Sequence, residues 1–177
     1  MHAVFCHALI PTVTGIPSMR TVAIAIFQGV QALDVAGPVD VFAEANGFVP
    51  PSNGYEITLV GPQERIVRAS NGTRLVADIS FDEADRRYGT ALVAGGPALP
   101  VDAPDLELTA WLVDVASHCE RYGSICTGAF ALGHAGLLDG HDVTTHWQNA
   151  PRLAASFRRF HARASNWIAS ICATGIS

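Results

Sequence analysis

Tyr122-Gly123-Ser124-Ile125-Cys126-Thr127-Gly128-Ala129-Phe130-Ala131-Leu132 is the stretch whose reading decides the fold. Residues 122–125 read as a short strand that runs straight into Cys126. Residues 127–137 read as the helix that follows. Cys126 therefore stands at the carboxyl end of a strand, and the small residues around it permit a sharp turn of the nucleophile-elbow kind. The positive end of a following helix favours a thiolate, so this position predicts a lowered thiol pKa. A free cysteine is as often a small buried hydrophobe, and that reading competes on even terms until the surroundings are considered.

The segments outward from the elbow alternate strand and helix. Residues 21–27, Thr-Val-Ala-Ile-Ala-Ile-Phe, form a near-continuous apolar run, as in a strand buried on both faces. A helix is expected from about Asp34 to Ala45, with Val35, Val39 and Phe42 on one face. Residues 55–60 and 90–94 read as further strands. Asn71-Gly72, between residues 66–68 and 73–76, signals a hairpin. Residues 81–84 read as a helical turn. Leu108, Leu112, Val115 and Cys119 form a stripe on a helix from about Asp105 to Glu120. Residues 143–145 read as a short strand and residues 148–157 as a final helix. This alternation implies an α/β fold with parallel βαβ units, the sheet covered on both faces.

Other residues gather around the elbow in this reading. Gly95-Gly96 ends the neighbouring strand and is expected to bring a second amide close to an oxyanion, beside the amide of Thr127. Asp34 follows the first strand, where a carboxylate can orient or protonate a group held over Cys126. Its competing reading is a helix N-cap, a position that Asp favours. His146, in Thr144-Thr145-His146-Trp147, reads as a pocket residue, with a structural role the more common one for a lone histidine.

Composition narrows the function classes. The chain has 177 residues, 49% hydrophobic and 15% charged, enough for one core-rich domain. A net charge of −5 lacks the basic footprint of a nucleic-acid binder, so no binding of nucleic acid by this chain alone is expected. No apolar run is long enough to span a membrane. The four cysteines, Cys6, Cys119, Cys126 and Cys172, show no disulfide or zinc spacing. A cytoplasmic protein without metal or cofactor is the expectation.

The combination of residues 22–27, Leu33-Asp34-Val35-Ala36-Gly37-Pro38, Val41-Phe42, Gly95-Gly96-Pro97, Ser124-Ile125-Cys126-Thr127-Gly128-Ala129, residues 135–140 and Thr144-Thr145-His146-Trp147 resembles the ThiJ/PfpI (DJ-1/PfpI) superfamily. The resemblance covers roughly residues 19–163. It implies a class I glutamine-amidotransferase-like domain: a flavodoxin-like three-layer sandwich, a mostly parallel central sheet and a cysteine elbow. Two branches share Cys-Thr-Gly and Thr-Thr-His-Trp. One is similar to the N-terminal, effector-sensing domain of AraC-type transcriptional regulators, and the surrounding residues sit closer to it. The other is similar to isonitrile hydratase, which converts an isocyanide to an N-substituted formamide. By that resemblance Cys126 is the nucleophile, Asp34 the acid/base and Thr127 a hydrogen-bonding neighbour. Peptidase-like members carry histidine after the cysteine, and Thr127 in that place argues against a peptidase. The resemblance further implies a small-molecule effector or substrate and a homodimer.

The ends depart from the pattern. Met19 reads as the natural start, with residues 1–18 an extension. After Arg163 the family continues into a strand, a turn and a helix. Residues 164–177 instead suggest an aberrant or truncated tail, with the last strand and helix missing and the helix-turn-helix region absent. Lost packing of that kind predicts a destabilised chain with an exposed sheet edge.

Overall fold

A computed structural model of the chain describes residues 19–84, 87–157, 161–162 and 171–173. The proposed extension, residues 1–18, and most of the tail, residues 164–177, lie outside the described residues. Ten strands and four helices are described: β1 (Arg20–Ala25), α1 (Ala32–Ala45), β2 (Tyr55–Gly61), β3 (Ile66–Arg68), β4 (Arg74–Val76), β5 (Ile79–Ser80), β6 (Thr90–Val93), α2 (Leu106–Ala116), β7 (Arg121–Ser124), α3 (Ala129–His134), β8 (Asp142–Val143), α4 (Ala150–Ser156), β9 (His161–Ala162) and β10 (Ile171–Ala173).

The main sheet has the order β10-β7-β6-β1-β2-β5. β1 pairs in parallel with both β2 and β6, and β6 pairs in parallel with β7. The strand at the cysteine edge, β10, pairs antiparallel with β7, Cys172 opposite Gly123. Three residues of the segment expected to lack a last strand thus extend the sheet.

β1 shows why both faces must be covered. Its side chains alternate with period two, and all of residues 22–25 are buried. Val22 and Ile24 pack with Phe42 and Val39 of α1 on one face. Ala23 and Ala25 join the larger core on the other, with Leu108, Leu112 and Val115 of α2 and Phe130 and Leu132 of α3. The result is the expected three-layer α/β sandwich.

The expected stripe of α2 is buried throughout, and Trp111 joins it. Asp105 caps this helix, accepting from the amides of Glu107 and Leu108 at 3.0 and 3.1 Å. The helix ends four residues earlier than expected: the Ser117 hydroxyl donates to the Asp114 carbonyl at 2.7 Å in the last turn, and β7 begins at Arg121.

The helix after the elbow is also shorter. Residues 126–128 form a 3-10 turn, and α3 covers only Ala129–His134. Gly136, at φ +72°, closes it: the Leu137 amide donates to the Leu132 carbonyl at 2.9 Å, and that of Gly136 to Gly133 at 3.0 Å. This paired pattern terminates a helix through a left-handed glycine.

The expected hairpin forms, β3 antiparallel to β4. It docks on the loop before α1, where the Gly29 amide donates to the Arg68 carbonyl and that of Ser70 to the Val30 carbonyl. The docking fixes the loop that leads into Asp34. β8 is shorter than expected, two residues paired in parallel with β9. Among the described residues no helix is long and apolar enough to cross a membrane.

Candidate functional site

Cys126 has φ +54°, in the left-handed region that non-glycine residues seldom adopt. Backbone strain of this kind concentrates at functional sites and persists only where the surroundings hold it. Here the surroundings are explicit. The Ile125 amide donates to the Val93 carbonyl at 2.9 Å, and the Gly128 amide to the Ile125 carbonyl at 2.9 Å. The Thr145 hydroxyl donates to the Cys126 carbonyl at 2.8 Å. The elbow is therefore built from β6, β7 and the segment after β8.

Asp34 reaches the same place from α1. It is not the N-cap: the cap position is Gln31, and Asp34 lies in the first turn of the helix. Its side chain instead points toward Gly95 and Cys126. A Cβ placed on Gly95 would lie 2.5 Å from Asp34 Oδ2 and 3.0 Å from Cys126 Cβ, so only glycine permits this approach. Asp34 Oδ2 is buried and has no hydrogen-bond partner.

Burial raises the Asp34 carboxyl above the ordinary aspartate range, against the opposing pull of the Gly95 amide, the Cys126 thiol and the His146 charge. The Cys126 thiol is pushed up by burial and by the Asp34 charge, while the Thr127 amide partly offsets this. This corrects the expected lowered thiol pKa. The six-residue α3 supplies little dipole, and the dominant neighbour is an acid rather than a cation. The site holds a protonated thiol beside a carboxyl that retains its proton more readily than usual.

Thr127, expected as a hydrogen-bonding neighbour of the cysteine, bonds to the glycine pair through its hydroxyl. It is buried, and its Oγ1 accepts from the Gly96 amide at 2.9 Å while donating to the Gly96 carbonyl at 2.8 Å. The hydroxyl is spent tying the elbow to the glycine pair. Of the glycine pair expected to bring a second amide close, the Gly96 amide is occupied by that bond. The Gly95 carbonyl accepts from the Gln31 amide at 2.7 Å, which ties the same pair to the start of α1.

This clasp yields a prediction. Thr127→Val keeps the shape but strands the buried Gly96 amide and leaves the Gly96 carbonyl only the long bond from the Leu99 amide at 3.3 Å, costing about 2–3 kcal/mol. The thermal midpoint is expected to fall by roughly 4–12 °C. Thr127→Ser should stay near the parent, and a Val variant as stable as the parent would refute the clasp.

His146 lies close enough for its charge to favour ionised Asp34, and its ring stacks on Trp147 with centroids 5.9 Å apart. Trp147 is 59% exposed, an aromatic surface beside the site. Cys119, by contrast, is a buried thiol pushed up to about 11 by burial and has no part in the site. Thr145 was not picked out from the sequence. Its signal in the sequence is its place in Thr-Thr-His-Trp, directly before the histidine. Among the described residues, no group of three or more His, Cys, Asp or Glu side chains is placed to hold a metal.

The chain is similar to several known proteins over much of its length. A protein described as an uncharacterized protein in the cpoL 5' region of Streptomyces lividans is 40% identical over 133 residues, covering 75% of this chain and 92% of that protein. The HTH-type transcriptional regulator GbdR of Pseudomonas aeruginosa is 37% identical over 103 residues, 54% of this chain but only 28% of the regulator. Isonitrile hydratase of Pseudomonas putida is 30% identical over 122 residues, 69% of this chain and 50% of the enzyme. Among solved structures, an AraC family transcriptional regulator from Pseudomonas putida superposes with a TM-score of 0.69 at 24% identity, covering 82% of this chain and 77% of that one. The family pattern itself matches residues 20–174, every strand of the described sheet included, and the chain belongs to the DJ-1/PfpI family.

Proposed function

We propose that this chain is an effector-sensing domain of the AraC-type regulator kind, in which Cys126, Asp34 and His146 line a pocket for a small molecule. The carrying observation is the state of the elbow. The thiol is held protonated by burial and an adjacent acid, and the Gly96 amide is already bonded to Thr127. An acyl-transfer enzyme needs an activated nucleophile and free donors aimed at the oxyanion. Here the Gly96 amide is closed to an oxyanion and the thiol is pushed up, while a carboxyl that retains its proton more readily than usual, a thiol and an aromatic rim face a ligand. The identity to GbdR over a segment that makes up 28% of that regulator supports the same reading. Binding of nucleic acid is not assigned to this chain, and a homodimer remains part of the proposal, to be checked by light scattering.

The Cys126–Asp34 pair favours one second reading, an isonitrile hydratase-like reaction. There the proton goes to the isocyanide carbon as the thiol sulfur bonds to it, giving a thioimidate. Water then adds, the C–S bond breaks, and the products are an N-substituted formamide and the free thiol. Asp34, protonated more readily than usual, is suited to deliver that proton.

One experiment separates the two. The chain is incubated with a panel of small amides, amines and isocyanides, and both thermal midpoint and product are followed. A compound that raises the midpoint of the parent, not of Cys126→Ala or Asp34→Asn, and is recovered intact supports sensing. Formamide production lost in both variants supports the hydratase. Stabilisation that survives both substitutions would sink the assigned pocket.

A further inference from the structure

Cys126 carries a left-handed backbone without being a glycine, and the segment that braces it comes from a distant part of the chain. Thr145 is 1% exposed, and its hydroxyl donates to the Cys126 carbonyl at 2.8 Å. It directly precedes His146, whose charge acts on Asp34. One threonine thus fixes the main chain of the cysteine and the start of the loop bearing the histidine. A buried hydroxyl whose hydrogen bond ends on a strained carbonyl selects one peptide orientation over its alternatives.

We propose that Thr145 is a positioning residue: its bond to the Cys126 carbonyl holds the left-handed backbone that aims the thiol at Asp34. Thr145 does not touch a ligand in this arrangement. It acts through the direction of the Cα–Cβ bond at Cys126. Without the donor the peptide is free to relax toward ordinary φ, and the thiol leaves the side of the carboxyl. The inference rests on Cys126 as the functional centre but not on the choice between sensor and hydratase.

The charged groups facing the thiol are Asp34 from α1 and, acting through it, His146 from the Thr145 loop. Because Asp34 raises the thiol, its reactivity profile reports how close the two groups lie. Site-resolved alkylation of Cys126 by iodoacetamide, read by peptide mass spectrometry across pH, measures this in the intact chain without any ligand. In the parent, Asp34→Asn should lower the midpoint. Thr145→Val should lower it as well, and Asp34→Asn on the Val background should add little. Thr145→Ser, which retains the donor, should restore both the midpoint and the response to Asp34→Asn.

A packing role alone would reduce the thermal midpoint and leave the alkylation profile in place. The inference is therefore overturned if folded Thr145→Val keeps the parent's profile and the parent's full response to Asp34→Asn. Should the Val variant lack a cooperative transition, Thr145→Ala is read against the same criteria. A Thr145→Ser profile displaced from the parent contradicts the proposal by itself. Failure to find any effector or turnover leaves these outcomes untouched, so the two proposals fail separately.

Discussion

Gly128→Ala is expected to lower the thermal midpoint by roughly 6–12 °C, corresponding to about 3 kcal/mol of overpacking. A Cβ at this position would sit 2.5 Å from the Val93 carbonyl oxygen, 3.0 Å from that of Ala94 and 3.2 Å from Ser124 Cβ. Two of the three obstacles are backbone of a central strand and its exit, which cannot swing aside as a side chain can. Relief requires the elbow to move off β6, which breaks the Ile125 amide bond to Val93. The substitution should therefore also erase the distinctive reactivity of Cys126. Gly47→Ala is the matched control, because a Cβ there meets nothing within 4 Å. Thermal scans of the two variants beside the parent decide the matter. A Gly128→Ala protein as stable as Gly47→Ala would show that the elbow is not packed as described.

Asp34→Asn is expected to change both stability and thiol chemistry, with opposite consequences for an ordinary surface aspartate. Burial raises the Asp34 carboxyl, so the folded chain binds that proton more tightly than the unfolded chain does. Such an acid supports folding below its unfolded pKa, and the support is lost as pH rises through the raised folded value. At neutral pH the ionised form is a net cost. Asparagine removes it, so the variant should melt above the parent at about pH 8, and the gap should narrow toward about pH 4. The same change takes a negative charge away from Cys126, so alkylation near neutral pH should speed up severalfold. A site that loses stability to keep a carboxyl buried follows the usual trade between stability and function. Paired thermal scans at the two pH values check the first half; an Asn variant less stable at both would refute it.

The scaffold was legible because its cues are local. The apolar run of β1, the stripe of Leu108, Leu112 and Val115 and the Asn71-Gly72 hairpin each satisfy a periodicity or turn rule within a few residues. The limits of α2 and α3 were less so, since a serine hydroxyl and a left-handed glycine ended them before the apolar pattern did. At the site, the sequence placed Cys126, Asp34 and the glycine pair together but could not assign their hydrogen bonds. Whether Thr127 faces a ligand or Gly96 depends on how two loops meet, and residue types do not encode that. The thiol's direction of shift was misjudged for the same reason. A helix end suggests a thiolate, yet burial first, and then Asp34, distant in sequence, push the thiol up. Thr145 escaped notice because a buried threonine that bonds a carbonyl far along the chain has no local signature.

That Cys126 and Asp34 act as one unit is tested most directly by the pH profile of Cys126 alkylation in the parent and in Asp34→Asn. The predicted result is a parent midpoint above the ordinary thiol value of about 8.5, falling toward that value in the Asn variant. A parent midpoint at or below the ordinary value, unmoved by Asp34→Asn, would contradict it.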